Sequence, residues 1–136
     1  MPLIWKEENS VGVKMFDLQH KELFDIINEL IEAINNKKFN DVIDDIMVRL
    51  VDYGNYHLST EEKFFDQYDY PEKDSHKALH DEYINKINSF QQRYQNQDGE
   101  IDIAFDLVNF LENWWVNHIN GADKKYSEFF NGKGVY

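Results

Sequence analysis

Apolar side chains recur at spacings of three and four along four stretches of this 136-residue chain, the period of a helix that buries one face. The first stripe is headed by His20 and runs through Leu23, Phe24, Ile27, Leu30, Ile31 and Ile34. Asp17 suits its N-cap, and the polar run Asn35-Asn36-Lys37-Lys38 closes it with lysines that favour a helix C-terminus. The second begins near Asn40, another candidate cap, and carries Ile43, Ile46, Met47, Leu50, Tyr53, Gly54, His57, Glu61 and Phe64. It fades at Asp69-Tyr70-Pro71, where proline restricts the residue before it. The third carries His76, Leu79, His80, Tyr83, Ile84, Ile87, Phe90 and Tyr94, and breaks at the turn-forming run Gln95-Asn96-Gln97-Asp98-Gly99. The fourth runs from about Asp102 through Ala104, Leu107, Val108, Leu111, Trp114, Trp115 and His118, with Gly121 as its expected stop. Four such helices joined by short breaks predict an all-α, antiparallel, up-down-up-down four-helix bundle. The expected layout is a single domain over 1–136: an extended N-terminal arm over 1–16 that crosses the bundle, the bundle over 17–123, and a tail over 124–136. The tail holds Tyr126, Phe129 and Phe130 and is expected to form one short turn over a bundle end.

Charge and composition narrow the partners. A net charge of −12, from 14 basic and 26 acidic residues, repels phosphate backbones and anionic lipid. Neither nucleic acid nor a membrane is expected as a partner. No apolar run reaches the length of a membrane span. The opening Met1-Pro2-Leu3-Ile4-Trp5-Lys6-Glu7-Glu8 lacks the basic and apolar regions of a signal peptide. The absence of cysteine excludes disulfides and thiolate metal sites. The expectation is a cytoplasmic monomer.

The polar residues on the stripes are the informative ones. His57 and Glu61 are four apart, as are His76 and His80, so each pair shares one helix face. In an up-down-up-down bundle the start of the first helix, the end of the second, the start of the third and the end of the fourth meet at one pole. His20, His57, Glu61, His76, His80 and His118 then all lie within roughly 15 Å of that pole, at 1.5 Å rise per residue. One histidine on an apolar face is usually a satisfied core residue. Five on four converging faces, with no serine or asparagine at that level to bond them, are hard to satisfy without a metal. A buried Glu61 likewise calls for a cation. Asp123 stands five residues after His118, which on a continuous helix turns it about 140° away. It reaches the same place only if the helix ends near Gly121 and a loop swings it back. For Trp114, Trp115, Tyr53 and Tyr126, core packing is the simpler reading. Glu7, Glu8 and Glu62 read as solvated charges.

The ordered set His20, His57-x-x-x-Glu61, His76-x-x-x-His80 and His118-x-x-x-x-Asp123 resembles the hemerythrin family, and its bacterial single-domain members in particular. The resemblance extends over nearly the whole chain, through Trp5, Val11-Gly12-Val13, Gln19-His20-Lys21, Phe24, Asn28, Trp114 and the closing His118-Ile119 and Asp123-Lys124-Lys125-Tyr126. It implies a cofactor of two non-haem iron ions joined by an oxo or hydroxo bridge. His76, His80 and His118 would hold one iron and His20 and His57 the other, with Glu61 and Asp123 bridging both. It further implies an open position that binds O2 reversibly, for storage, transport or delivery to an O2-using acceptor enzyme. Such a protein is an oxygen binder, with no catalytic residues of its own. Leu23, Leu58, Trp114 and Ile119, each within a turn of a ligand, would wall the O2 pocket against water. Trp115 stands where a smaller aliphatic residue is common in the family, so its ring bears on pocket size. The alternatives are a di-iron oxidase, peroxidase or nitric-oxide reductase, or an O2 or redox sensor acting through a separate partner. Against the enzyme, the chain lacks the paired Glu-x-x-His motifs of ferritin-like di-iron proteins.

Overall fold

The computed structural model describes residues 2–96 and 100–136. Four helices, α1 (Lys14–Asn35), α2 (Phe39–Gln67), α3 (Lys73–Gln95) and α4 (Glu100–His118), form the bundle. Each packs on its two sequence neighbours, and α1 and α4 close the ring. Among the described residues there is no strand, and no helix is long and apolar enough to cross a membrane. The core is aliphatic towards one end, with Leu30, Ile43, Leu50, Ile87 and Leu107, and aromatic towards the other, with Phe16, Phe65, Tyr126 and Phe130.

The ends of the helices differ from the sequence expectation in instructive ways. Helix α1 starts at Lys14, with Val13 at the cap position, three residues ahead of Asp17. Asp17 has a different task. Its carboxylate accepts from Ser10 Oγ at 2.6 Å and from the Val11 amide at 2.8 Å, tying the arm to the first turn. Helix α2 starts at Phe39 after Lys38, and Asn40 is an exposed helical residue, not a cap. Phe39 is buried, so apolar docking sets this start. Both α1 and α2 end in paired return bonds: Lys38 N to Ala33 O, and Tyr70 N to Phe65 O. The residues that allow this closure are Lys37 and Asp69, at φ 58° and 53°, in the left-handed position usually taken by glycine. The Tyr70 and Phe65 rings then meet at 5.1 Å, the apolar contact that accompanies this motif. The expected turn after α3 lies mostly outside the described residues. Helix α4 is already under way at Glu100, slightly before Asp102.

The two chain ends hold each other. The arm contains one 3-10 turn, Glu7–Asn9, and is otherwise extended. The Asn28 side chain bonds both the amide and the carbonyl of Leu3, at 2.7 and 2.9 Å. The expected single turn of the tail is instead a nine-residue helix, α5 (Lys124–Gly132). Gly12, at φ +72°, faces it so closely that a Cβ would lie 2.6 Å from Ser127 Oγ, and its carbonyl accepts from Asn131 Nδ2 at 2.9 Å.

Gly54 explains itself by a similar contact. It is buried in mid-α2, where glycine costs about 1 kcal/mol of helix stability relative to alanine. A Cβ there would lie 3.0 Å from Tyr83 Cε1 and 3.3 Å from Ile84 Cδ1, so the bare backbone lets the Tyr83 ring lie against α2. Gly54→Val should therefore lower stability by about 1–3 kcal/mol through overpacking, read as a lower denaturant midpoint in chemical unfolding. An unchanged midpoint would mean that the ring has room to move.

Candidate metal centre

The aromatic end of the bundle contains the polar cluster. His20 comes from the first turns of α1, His57 and Glu61 from α2, His76 and His80 from the start of α3, and His118 from the end of α4. All are buried, as is Asp123. Their donor atoms fall into two groups, each spanning no more than 4.8 Å: His76, His80, His118, Glu61 and Asp123, and His20, His57, Glu61 and Asp123. The two carboxylates belong to both.

Each carboxylate turns one oxygen to each group. Asp123 Oδ1 lies 2.9 Å from His76 Nε2 and 3.0 Å from His118 Nε2, while Oδ2 lies 3.1 Å from His20 Nε2. Glu61 Oε1 lies 3.2 Å from His80 Nε2, and Oε2 lies 3.6 Å from His57 Nε2. Within the groups, His20 Nε2 stands 3.0 Å from His57 Nε2, and His76 Nε2 stands 3.2 Å from His118 Nε2. Paired ring nitrogens at such distances need a proton or a cation between them.

Asp123 arrives by a route that periodicity did not offer. Gly121 does not end the helix. Residues Ile119–Asp123 form a π turn that leads directly into α5. A π turn bonds i to i+5, so a residue five places after His118 returns to the same face. The extra residue does what the expected loop was to do, and keeps the backbone helical throughout. Asn9 Nδ2 holds this turn through Asn120 Oδ1 at 3.0 Å.

Electrostatics follow from burial and neighbours. Burial alone would raise the Asp123 carboxyl, but His118, His20 and His76 outweigh it and hold it well below the usual range. Glu61 is likewise held low, by His57 and His80 against burial and Asp123. Burial opposes the charged form of His20 and His80 too, yet their carboxylate neighbours raise both. His57 goes the other way. Burial, reinforced by the charge of His20, lowers it to about 3, so it presents a neutral ring.

The remaining contacts show that these residues fit a metal. The Nδ1 of His57 faces Gln19 Oε1 at 2.5 Å, and the Nδ1 of His80 faces Glu62 Oε2 at 3.0 Å. An acceptor at Nδ1 places the proton there and leaves Nε2 as an inward lone pair. His20 Nδ1, His80 Nε2, Glu61 Oε1 and both Asp123 oxygens are buried without a hydrogen-bond partner. So many unpaired acceptors in one dry place carry a large desolvation cost, which cations would offset. Imidazole and carboxylate donors suit iron, zinc or manganese.

Several neighbours were misread or missed. Glu62, expected to be a free solvated charge, is the partner of His80. Tyr126, expected in the core, is fully buried and donates its hydroxyl to Glu61 Oε2. Burial and the nearby carboxylates push that phenol well up, so it keeps its proton. Tyr53 stacks on His57 at 5.5 Å and donates to the Gln19 carbonyl. Gln19 was visible only beside His20 in the family motif, since nothing in its spacing marks it. Leu79 lies beside an open groove, 37% exposed, not on the inner face.

The apolar surroundings are uneven. Leu23, Leu58 and Ile119 are fully buried. Trp114 is half-buried and stacks on His118 at 4.3 Å, at the wall of that groove. Trp115 is the interior indole, 5.9 Å from the His57 ring and 6.1 Å from that of His118.

Comparison with known proteins agrees with this arrangement. The family described as Hemerythrin HHE cation binding domain matches residues 11–130. The chain belongs to the hemerythrin family. Among similar hemerythrin-family proteins is the bacteriohemerythrin of Clostridium acetobutylicum, 32% identical over 90% of this chain and 97% of that protein. The bacteriohemerythrin of Methylococcus capsulatus is 30% identical over 88% of each chain. A crystallised hemerythrin with tyrosine substituted for a leucine superposes with a TM-score of 0.80 at 28% identity, over 94% of this chain and 97% of the other.

Adding one residue to the π turn tests the geometry. An alanine inserted after Gly121, where an added Cβ meets nothing within 4 Å, should carry Asp123 about 100° further round the helix from His118. Metal analysis after reconstitution should then show fewer ions per chain, with helical content retained by circular dichroism. Full loading would mean that the π turn does not place Asp123.

Proposed function

We propose that this hemerythrin-family chain holds two iron ions and binds O2 reversibly, for storage, transport or delivery. The observation that carries this reading is the division of oxygens. Glu61 and Asp123 each offer one oxygen to a three-imidazole group and one to a two-imidazole group, which is how two carboxylates bridge two ions. In this reading His76, His80 and His118 hold one iron, and His20 and His57 hold the other. The position with fewer imidazoles is the one left open to a small ligand. The names of the bacteriohemerythrin relatives support this assignment over an enzymatic one.

The chain's own residues shape what the centre does. When bound, the iron pair supplies the electrons that O2 binding draws on and recovers when O2 leaves. Five neutral imidazoles with two carboxylates make a donor set poorer in charge than a carboxylate-dominated one, which favours binding over cleavage of the O–O bond. Leu23, Leu58 and Ile119, with the indole of Trp115, exclude the water and protons that would make the oxidation irreversible. Trp114 shields His118 from the groove side. Tyr126 holds Glu61 in its bridging orientation and keeps its proton while doing so.

The direct test is optical. Anaerobic reduction of the iron-loaded protein followed by O2 titration should produce a visible charge-transfer band that disappears when O2 is removed. Irreversible conversion to the oxidised form, or turnover of O2 with a reductant, would favour a redox enzyme instead. Leu23→Ala should shorten the lifetime of the O2 complex, measured as the decay of that band in air. An unchanged lifetime would place the water barrier elsewhere.

A further inference from the structure

The two halves of the centre are backed by outer partners of different charge. His57, on the two-imidazole side, directs Nδ1 at the neutral amide of Gln19. His80, on the three-imidazole side, directs Nδ1 at the carboxylate of Glu62. Of the five imidazoles, these are the two for which a side-chain partner at Nδ1 is seen, and the Nδ1 of His20 is buried without one.

Gln19 is held in one orientation. It is 5% exposed. Its backbone carbonyl accepts from the Tyr53 hydroxyl at 2.5 Å, which ties down the main chain, and its side-chain Nε2 donates to Tyr56 Oη at 3.3 Å. With Nε2 committed to Tyr56, Oε1 is the atom left for His57. Glu62 sits at the rim, its side chain 33% exposed, with His80 inside it.

We infer that Gln19 and Glu62 are positioning residues that make the two metal positions unequal, the carboxylate behind His80 strengthening the three-imidazole position and the neutral amide behind His57 leaving the two-imidazole position weaker. This rests on the two-metal reading above. A carboxylate acceptor at Nδ1 draws the ring proton towards itself and makes Nε2 a stronger donor to a cation. A neutral amide fixes the same tautomer and ring orientation with much less electron transfer. The asymmetry adds to the count of imidazoles and works in the same direction. The more weakly held ion is then the one that keeps a position free for an exogenous ligand.

The two partners predict opposite effects from opposite charge changes, which simple structural damage does not. The probe is Co(II), whose visible bands report its coordination, titrated anaerobically, so that it stays divalent, into the metal-free protein. The unmodified chain should bind two ions, one more tightly. Glu62→Gln should weaken the tighter step by about 10- to 100-fold, the usual cost of losing such a partner, and leave the weaker step nearly unchanged. Gln19→Glu should strengthen the weaker step and narrow the gap from the other side. The double variant should reverse which set of bands appears first. Failure of the unmodified chain to take up two ions would overturn the two-metal reading itself. Uptake of two ions with Glu62→Gln affecting both steps equally, or neither, would overturn the inequality while leaving that reading intact. Should Gln19→Glu fail to fold, the Glu62→Gln titration decides the matter alone.

Discussion

Two ionised carboxylates, Glu61 and Asp123, lie fully enclosed at one end of a helical bundle. That is a costly arrangement for any protein, because a buried charge must be matched by another charge and by well-aimed polar partners. Almost everything unusual about this chain follows from it. Five imidazoles surround the pair. The Tyr126 hydroxyl is committed to one of the two carboxylates. A ring of aromatic side chains, Phe16, Phe65, Tyr126 and Phe130, keeps solvent out. The opposite half of the bundle, with no such demand, is ordinary apolar packing of aliphatic side chains with Phe39 and Phe90.

The helical architecture was legible because each helix buries one face, and that face repeats in the sequence. Five imidazoles and Glu61 were legible for the same reason, since they occupy stripe positions such as His57 between Gly54 and Glu61. What escaped was whatever periodicity does not encode. Asp123 is displaced from its stripe, and the π turn that restores it inserts a residue without changing composition. The starts of α1 and α2 were misplaced because Asp17 and Asn40 look like caps. In the fold, Asp17 clamps the arm and the buried Phe39 sets the entry to α2.

The outer partners were hidden for a different reason. Gln19 and Glu62 each sit next in sequence to a residue of the cluster, His20 and Glu61, and so project about a quarter-turn or more away from its stripe. Their partners lie on the neighbouring helix: Gln19 reaches His57 on α2, and Glu62 reaches His80 on α3. Such pairings depend on how two helices face each other, a relation that neither strand of sequence contains. Glu62 is of a residue type usually solvated, yet its side chain is only 33% exposed, with one carboxylate oxygen turned to His80.

The order of assembly is constrained by where the last donor lies. Asp123 and Tyr126 follow all five imidazoles along the chain, and the turn that carries Asp123 is held by Asn9, which precedes them all. A polypeptide emerging from the ribosome therefore displays His20, His57, His76 and His80 well before the carboxylate that would join them is free to bend back. Until Asp123 has been made, those imidazoles lack one of the two carboxylates that both donor groups share. The N-terminal segment, through Asn9, then acts as a clasp on the turn that carries it.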